Sequence, residues 1–215
     1  MPRKTQEESR TTRARIIEVA LRLFSKRGFE RASLSDVAKY AGVTRGAVYW
    51  HFRDKEELLT AVIEETELKH GYITILQDAA KPEEDDPLGK LKQSIMIMES
   101  DPLNEFINSK FVTMIIGIKN GFSGDKDLRE RLRQVDKRRD EMVKKVILNC
   151  IAKGQLPINL DVDAAVEHLG IFVTGYFFQT RTSQTKKISE RFDFVIEREF
   201  DQLKTLTQDL FKNRK

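Results

Sequence analysis

Hydrophobic residues recur along most of this chain at intervals of three or four, which is the spacing of one face of an α-helix. The first such stripe predicts a helix over about residues 9–27, ended by Gly28 as a C-cap. Further stripes, separated by polar or proline-containing breaks, predict helices over about residues 33–42, 45–52, 55–79, 88–100, 106–118, 128–153, 162–181 and 189–212. Alternating runs typical of strands are scarce. The pattern predicts an all-α protein of about nine helices.

The second and third predicted helices have the signals of a helix-turn-helix. Ser33 followed by Asp36 is an N-cap signature, a hydroxyl and then an acid three residues later. Gly42 accepts positive φ and lets the chain leave the helix. Thr44 then caps the next short helix. The sequence therefore predicts a helix-turn-helix over about residues 33–52.

The last helix of this motif has an unusual composition for its length. Within two turns it carries Arg45, Tyr49, Trp50 and His51. Gly46 and Ala47 keep one patch of it thin, and small residues allow close approach to another molecule. An arginine reads guanine edges bidentately in the major groove of DNA. These residue types favour a helix that enters the major groove.

The segment VTRGAVYWHFRDKEELL, preceded by SLSDVAKYAGV and ARIIEVALRLFSKRGFE, resembles the DNA-binding domain of the TetR family, and within it the AcrR-type repressors of multidrug-efflux genes. The likeness is dense over about residues 10–65. It implies an N-terminal DNA-binding domain over residues 1–54 and a larger helical domain for ligand binding and dimerisation over residues 55–215. It implies a repressor that leaves its operator when an effector binds.

Individual contacts with DNA can be assigned from side-chain chemistry, and the resemblance implies the same roles. The phosphate contacts expected are Ser33, Ser35, Thr44, Tyr49, His51 and Lys55. We expect Arg45 to read a base, Ala47 to pack on a thymine methyl and Gly46 to allow close approach. Trp50 stays open between a contact at the rim of the DNA and a wedge against the following helix.

The charge distribution supports a nucleic-acid partner at the N-terminal end. The net charge is +4, and residues 1–60 carry thirteen Lys and Arg against eight Asp and Glu. The rest of the chain carries 25 basic against 26 acidic residues. A basic excess confined to the helix-turn-helix end suits phosphate binding, although a solvated basic face would look alike.

One helix-turn-helix makes too few contacts to find a genomic site, so we expect a symmetric dimer on a palindromic operator. The last two predicted helices, about residues 162–181 and 189–212, are the candidate interface. The interfacial residues expected are His168, Phe172, Tyr176, Phe200 and Leu203. The alternative is that these side chains form the core of one subunit.

The C-terminal domain is expected to bind a small hydrophobic effector. Methionine and aromatic side chains adapt to varied ligand shapes. The candidate contacts are Ile63, Glu67, Met96, Phe106, Phe111, Met114, Phe177 and Gln179. The resemblance implies that an acid at the place of Glu67 favours cationic ligands. The alternatives are plain core for the apolar residues and an exposed surface position for Glu67.

Other functional classes find less support. Motifs of metal, phosphate-loop and serine-nucleophile enzymes are absent, so we expect no enzyme, cofactor or metal. Glu67 and His70 could bind a metal weakly, but a surface pair is the better interpretation. Cys150 is the single cysteine, and without a signal peptide or membrane span a cytoplasmic protein is expected. Two alternatives stay open: a sequence-tolerant architectural DNA-binding protein, and a TetR-type regulator of a metabolic operon.

Overall fold

The computed structural model describes residues 6–69, 71–100, 109–122, 124, 126–182 and 191–209, and this part of the chain contains ten α-helices and no strand. The helices are α1 (Gln6–Arg27), α2 (Leu34–Ala41), α3 (Arg45–His51), α4 (Lys55–Lys69), α5 (Tyr72–Ala79), α6 (Pro87–Ser100), α7 (Ser109–Lys119), α8 (Lys126–Ala152), α9 (Val162–Thr182) and α10 (Phe192–Leu203). The all-α prediction is confirmed.

The prediction of one long helix over residues 55–79 is wrong. α4 ends at Lys69, and α5 begins at Tyr72 after Gly71, which has φ 72°. An α-helix cannot continue through that left-handed backbone, and glycine adopts it without a Cβ clash. This break gives the described chain one helix more than the nine expected.

The last helix is shorter than its hydrophobic stripe suggests, because the prediction carried it to residue 212. α10 ends at Leu203. The backbone beyond it pairs with the loop before α9 instead: the amide of Asp161 donates to the Leu206 carbonyl at 2.8 Å. The Gln208 amide donates to the Asn159 carbonyl at 2.9 Å. These bonds replace the next helical turn, and residues 210–215 lie outside the described part.

The chain forms two compact units that alternate along the sequence. The first comprises residues 1–69 and 105–135, and thus contains α1 to α4, α7 and the first turns of α8. The second comprises residues 70–104 and 136–215, with α5, α6, the remainder of α8, α9 and α10. The functional boundary expected after residue 54 remains a prediction, whereas the compact first unit also takes in α4 and α7.

The first unit has a core built on the predicted stripe of α1. Ile16 and Phe24 on this stripe are almost fully buried. Gly28 ends the helix with φ 80°, as the sequence predicted. Phe29 follows at once and packs on Phe24, with 5.5 Å between ring centroids. This packing fixes the end of α1, from which the helix-turn-helix departs.

The second unit has a separate core formed by α5, α6, the C-terminal half of α8, α9 and α10. Cys150 of α8 lies fully inside it. Burial, aided by the nearby charge of Asp86, raises the pKa of the Cys150 thiol to about 12. At neutral pH the side chain is therefore a protonated thiol with low reactivity.

Candidate DNA-binding interface

α2 begins with a complete capping box. The Ser33 hydroxyl accepts a hydrogen bond from the Asp36 amide at 3.1 Å, and the Asp36 carboxylate accepts from the Ser33 amide at 3.2 Å. The same hydroxyl donates to the carboxylate at 2.6 Å. This hydroxyl hydrogen bond, together with the one from the Ser33 amide, holds the pKa of Asp36 below its usual value. The Ser33 hydroxyl, which we expected on a phosphate, is thus engaged in the cap in this structure.

The turn between α2 and α3 follows the sequence prediction. Gly42 adopts φ 62°, and the amide of Val43 donates to the Ala38 carbonyl at 3.0 Å. The Thr44 hydroxyl then accepts from the Ala47 amide at 3.1 Å and caps α3. A hydroxyl that accepts in this way keeps its own proton to donate. Thr44 can therefore both start the helix and offer a donor to a phosphate.

α3 separates its side chains into a buried face and an exposed one. Val48 and Phe52 are 0% and 2% exposed and hold the helix to its unit. Tyr49 and Trp50 point the other way, with 57% and 73% of their surface exposed. Large aromatic groups left in water without a packing role indicate a contact surface.

The exposure of Trp50 argues against a wedge on the following helix, and a contact at the rim of the DNA stays a prediction. A wedge against α4 would bury the indole, whereas the ring is mostly exposed and meets His51 edge to face at 4.5 Å between centroids. His51 is half-buried, and Arg45 at the start of α3 is exposed. Tyr49, Trp50 and Arg45 therefore share the outer side of a single short helix.

Gly46 is not required by the fold. A Cβ built on it would meet only the Thr44 hydroxyl oxygen at 3.9 Å, an ordinary van der Waals contact. Its φ is not positive, so an alanine would suit the helix better than glycine does. Ala47 next to it is half-buried. The packing of the chain itself therefore does not require glycine at this position of α3.

Lys55 takes part in the architecture of the unit. Its ammonium donates to the Phe29 carbonyl at 2.9 Å and to the Glu30 carbonyl at 3.4 Å. It also lies 4.2 Å from the centroid of the Phe29 ring. The expected phosphate contact would have to use the remaining proton of the ammonium. Ser35, by comparison, is half-buried near the start of α2.

Two arginines of α1 contact aromatic residues of the motif, and none of these four residues was among the expected site residues. Arg27 donates to the Tyr40 hydroxyl at 3.0 Å, and its guanidinium lies 5.5 Å from the Tyr40 ring centroid. Arg13 lies 5.3 Å from the ring centroid of Phe52. Tyr40 is 55% exposed, off the buried face of α2. Tyr40 could have been identified from the sequence, because it is an aromatic residue on the polar face of a helix.

The expected ligand contacts fall in both units. Ile63, Glu67, Phe111 and Met114 belong to the first unit, and Met96, Phe177 and Gln179 belong to the second. Phe106 lies outside the described residues. Phe111 is only 4% exposed in the core of the first unit, so plain core packing accounts for it. Glu67 is half-buried, between the surface and interior positions that the sequence left open.

Three of the residues expected at the dimer interface are core residues of one chain. Phe200, Leu203 and Tyr176 are 1%, 0% and 8% exposed without any second subunit. The interface prediction is therefore wrong for Phe200 and Leu203, and Tyr176 has little surface left for a partner subunit to cover. Phe172 is half-buried, and His168 meets Glu199 of α10 at 3.0 Å. The hydrophobic stripe of α10 is used within its own unit.

Other residues of these helices remain exposed. On α9, Ile171 is 67% exposed, and on α10, Phe194 is 68% exposed. Phe178, one turn from the C-terminal end of α9, is 37% exposed. An apolar surface on the same two helices thus exists, at different positions from those expected.

The described part of the chain contains neither a candidate metal site nor a candidate membrane segment. No group of three or more His, Cys, Asp and Glu side chains there could hold a metal ion. His70 of the Glu67–His70 pair lies outside that part. None of the described helices is both long and apolar enough to cross a membrane.

Comparison with known proteins places the motif in a family. The family model for bacterial regulatory proteins, tetR family, matches residues 16–62. The probable transcriptional regulator ArpR of Pseudomonas putida is 34% identical over 179 residues, which cover 81% of this chain and 82% of that protein. The transcriptional regulator AcrR of Shigella flexneri is 32% identical over 201 residues, 91% of each chain.

The fold has solved counterparts as well. The complex of triclosan with SmeT, a Stenotrophomonas maltophilia protein, aligns with a TM-score of 0.74 at 22% identity, over 89% of this chain and 90% of that one. At that identity the likeness concerns the fold. Together with the sequence relatives, it agrees with a helix-turn-helix joined to a larger helical region.

Proposed function

We propose that this chain, which belongs to the TetR family of bacterial regulatory proteins, is a repressor that binds a palindromic operator as a dimer and is released by a small lipophilic effector. The family predicted from the sequence is confirmed. Its relatives are named transcriptional regulators, so the chain is a regulator and not an enzyme. The cytoplasm is the proposed place of action, where the operator is found.

The observation that carries the proposal is the exposed side of α3. Arg45, Tyr49 and Trp50 are exposed to solvent on that side. The packing of the helix does not require a glycine at position 46, between Arg45 and Tyr49. A bare, basic and aromatic helix suits the major groove, where Arg45 would read a guanine and Tyr49 would reach a phosphate. Thr44 and the N-terminus of α3 would add phosphate contacts.

A dimer is proposed because one α3 is too short to specify a genomic site. The surface that supports this step is the exposed apolar set of α9 and α10, namely Ile171, Phe178 and Phe194. Large apolar side chains that are exposed on one chain become buried when a partner subunit covers them. A two-fold symmetric dimer carries two copies of α3, and a palindromic operator offers two matching half-sites.

Effector release is supported by residue chemistry and by a similar protein. Glu67 is a half-buried acid one turn beyond Ile63 on α4, a position suited to a lipophilic cation. SmeT, whose fold is similar, has a solved structure in complex with triclosan and is named the repressor of a multidrug efflux pump. By this analogy we assign an efflux operon to the present chain. A metabolic operon is the competing assignment within the family.

The proposal is tested by selection of genomic fragments with the purified full-length chain, followed by footprinting with and without triclosan or tetraphenylphosphonium. A two-fold symmetric footprint beside a transporter gene, lost on addition of either compound, is the expected result. A footprint beside metabolic genes that resists both compounds would favour the competing assignment. Absence of any preferred sequence would favour an architectural protein instead.

A further inference from the structure

The start of α4 depends on a carboxylate shared by two elements. Asp54 accepts a hydrogen bond from the Glu57 amide at 2.6 Å and so acts as the N-cap of α4. Both of its oxygens also accept from the guanidinium of Arg131, each at 3.0 Å. A bidentate arginine–carboxylate pair fixes orientation as well as distance. Asp54 is thus held by its own helix and by α8.

The carboxylate remains ionised in this arrangement. Partial burial opposes the charge of Asp54, but the hydrogen bonds from Arg131 and from the Glu57 amide outweigh it and lower the pKa. The same contact raises the pKa of the Arg131 guanidinium. The pair is therefore intact throughout the neutral range.

Asp54 stands directly behind the recognition helix. Phe52, the C-cap of α3, is 2% exposed and anchors its end, and a single residue separates it from Asp54. In that link, the amide and the guanidinium of Arg53 both donate to the Glu57 carboxylate, at 2.9 and 3.0 Å. The turn from α3 to α4 is short and tightly bonded, so a shift of Asp54 would be carried to α3.

α8 is a helix with buried residues in both cores. Leu128 and Leu132, on either side of Arg131, lie in the first core, and Val146 and Cys150 lie in the second. Its 27 residues run without a break. α4 ends at Lys69, within the first unit. Among the described helices, α8 is the one whose side chains enter both cores.

We infer that Arg131 is a positioning residue that couples α8 to the recognition helix through Asp54. The inference rests on the proposed function and deepens it, since it names the contact by which an effector bound in the C-terminal region would alter operator affinity. Coupling between sites is reciprocal, so operator binding at α3 must alter α8 through the same contact. This reciprocity allows a test that needs no effector.

The test measures hydrogen exchange of the full-length chain with and without a duplex recovered by genomic selection. We expect the duplex to slow exchange of amides in residues 140–152 of α8 by at least about fivefold in the unaltered chain. In Arg131→Gln this change should disappear, while exchange at α3 still slows on DNA. Asp54→Asn keeps a cap acceptor but loses the charge, and it should behave like Arg131→Gln.

Matched variants separate coupling from general damage. Arg133→Gln removes an exposed arginine of the same helix, paired with Glu130, and should respond like the unaltered chain. Arg131→Lys keeps the positive charge but loses the two parallel hydrogen bonds to Asp54, and it should retain part of the response. This variant also provides the test if Arg131→Gln fails to fold. The double variant Asp54→Asn with Arg131→Gln should lose no more than either single one.

Two results would overturn the inference alone: a duplex that binds without altering α8 in the unaltered chain, or a full response in Arg131→Gln. Failure to recover any preferred duplex would overturn the proposed function, and the inference with it. The two failures are therefore distinguished by whether a specific duplex is bound at all.

Discussion

The ammonium of Lys55 lies 2.9 Å from the carbonyl oxygen of Phe29 and 4.2 Å from the centroid of its ring, so a residue expected on DNA also joins the start of α4 to the end of α1. Cation–π contact and a charge-assisted hydrogen bond act together here. This double contact places Lys55 among the residues that orient the helix-turn-helix.

Replacement of Lys55 by methionine should therefore lower the stability of the fold and leave the salt dependence of DNA binding unchanged. We expect the free energy of unfolding to fall by about 1.5 kcal/mol, because the hydrogen bond comes from a charged donor. The slope of log affinity against log salt should stay unchanged. A slope smaller by about 0.9 with unaltered stability would restore Lys55 to the phosphate contacts.

Gly46→Ala should separate folding from DNA binding. Since an added Cβ meets nothing closer than 3.9 Å, the variant should be more stable, by about 0.5 kcal/mol, as alanine is the better helix former. Its operator affinity should fall, because the Cβ would hold α3 off the duplex. Gly117→Ala in α7, where a Cβ has open space, is the control for stability with unchanged affinity. Unchanged affinity in Gly46→Ala would contradict a close approach.

Arg45→Ala should relax specificity at one base pair of each half-site. The expected loss on the cognate duplex is about 1–3 kcal/mol, with little change on a duplex altered at that pair. Binding of a panel of single-substitution duplexes by fluorescence anisotropy measures it. Arg22→Ala, which removes an exposed arginine of α1 paired with Glu18, should leave the panel unchanged. Uniform weakening on every duplex would show that Arg45 contacts phosphate.

The dimer should depend on Ile171 and Phe194, which are exposed, and not on the buried stripe of α10. Ile171→Glu or Phe194→Glu should weaken the dimer by about 2 kcal/mol or more, as expected for a central apolar contact. Analytical ultracentrifugation measures the change. Ile158→Glu, at a 91% exposed site outside α9 and α10, is the control. A dimer that is unaffected by Ile171→Glu and by Phe194→Glu would mean that the interface lies elsewhere.

The capping box of α2 should leave a signature in acid. The hydrogen bonds from Ser33 lower the pKa of Asp36 in the folded state. The ionised carboxylate therefore adds stability that is fully present above the unfolded-state pKa of 3.8. That stability is lost as the pH falls through the lower folded value. Ser33→Ala should therefore be less stable than the unaltered chain at pH 7, by a margin that narrows below pH about 4.

Ser33→Thr retains the hydroxyl and serves as the control for this variant, with a pH dependence like that of the unaltered chain. Thermal unfolding from pH 2 to pH 7 measures all three proteins. A margin for Ser33→Ala that stays constant over the whole range would mean that the carboxylate does not contribute through this hydrogen bond.

Local chemistry made the helix-turn-helix predictable from sequence. The caps at Ser33 and Thr44 and the turn at Gly42 act over three or four residues, so their outcome does not depend on distant packing. Val48 and Phe52, four residues apart, lie on the same buried side, as the helical period requires. For these elements the sequence and the structure agree residue by residue.

The sequence did not predict features that depend on which distant residue or chain a side chain or backbone group contacts. The stripe of α10 indicates that Phe200 and Leu203 are buried, but hydrophobicity alone does not say whether the same chain or a second copy covers them. The pairing of the Leu206 carbonyl with Asp161 is equally non-local and ended the helix early. Arg131 gave no signal either, because its carboxylate partner is 77 residues away.

The central claim is that this chain recognises a particular DNA sequence, and one titration tests it most directly. The affinity of the full-length chain for a selected palindrome is compared, at one fixed salt concentration, with that for a scrambled duplex of equal length and composition. The account predicts that the palindrome binds at least about 1000-fold more tightly. Equal affinity for the two duplexes would contradict it and would indicate a sequence-tolerant architectural protein.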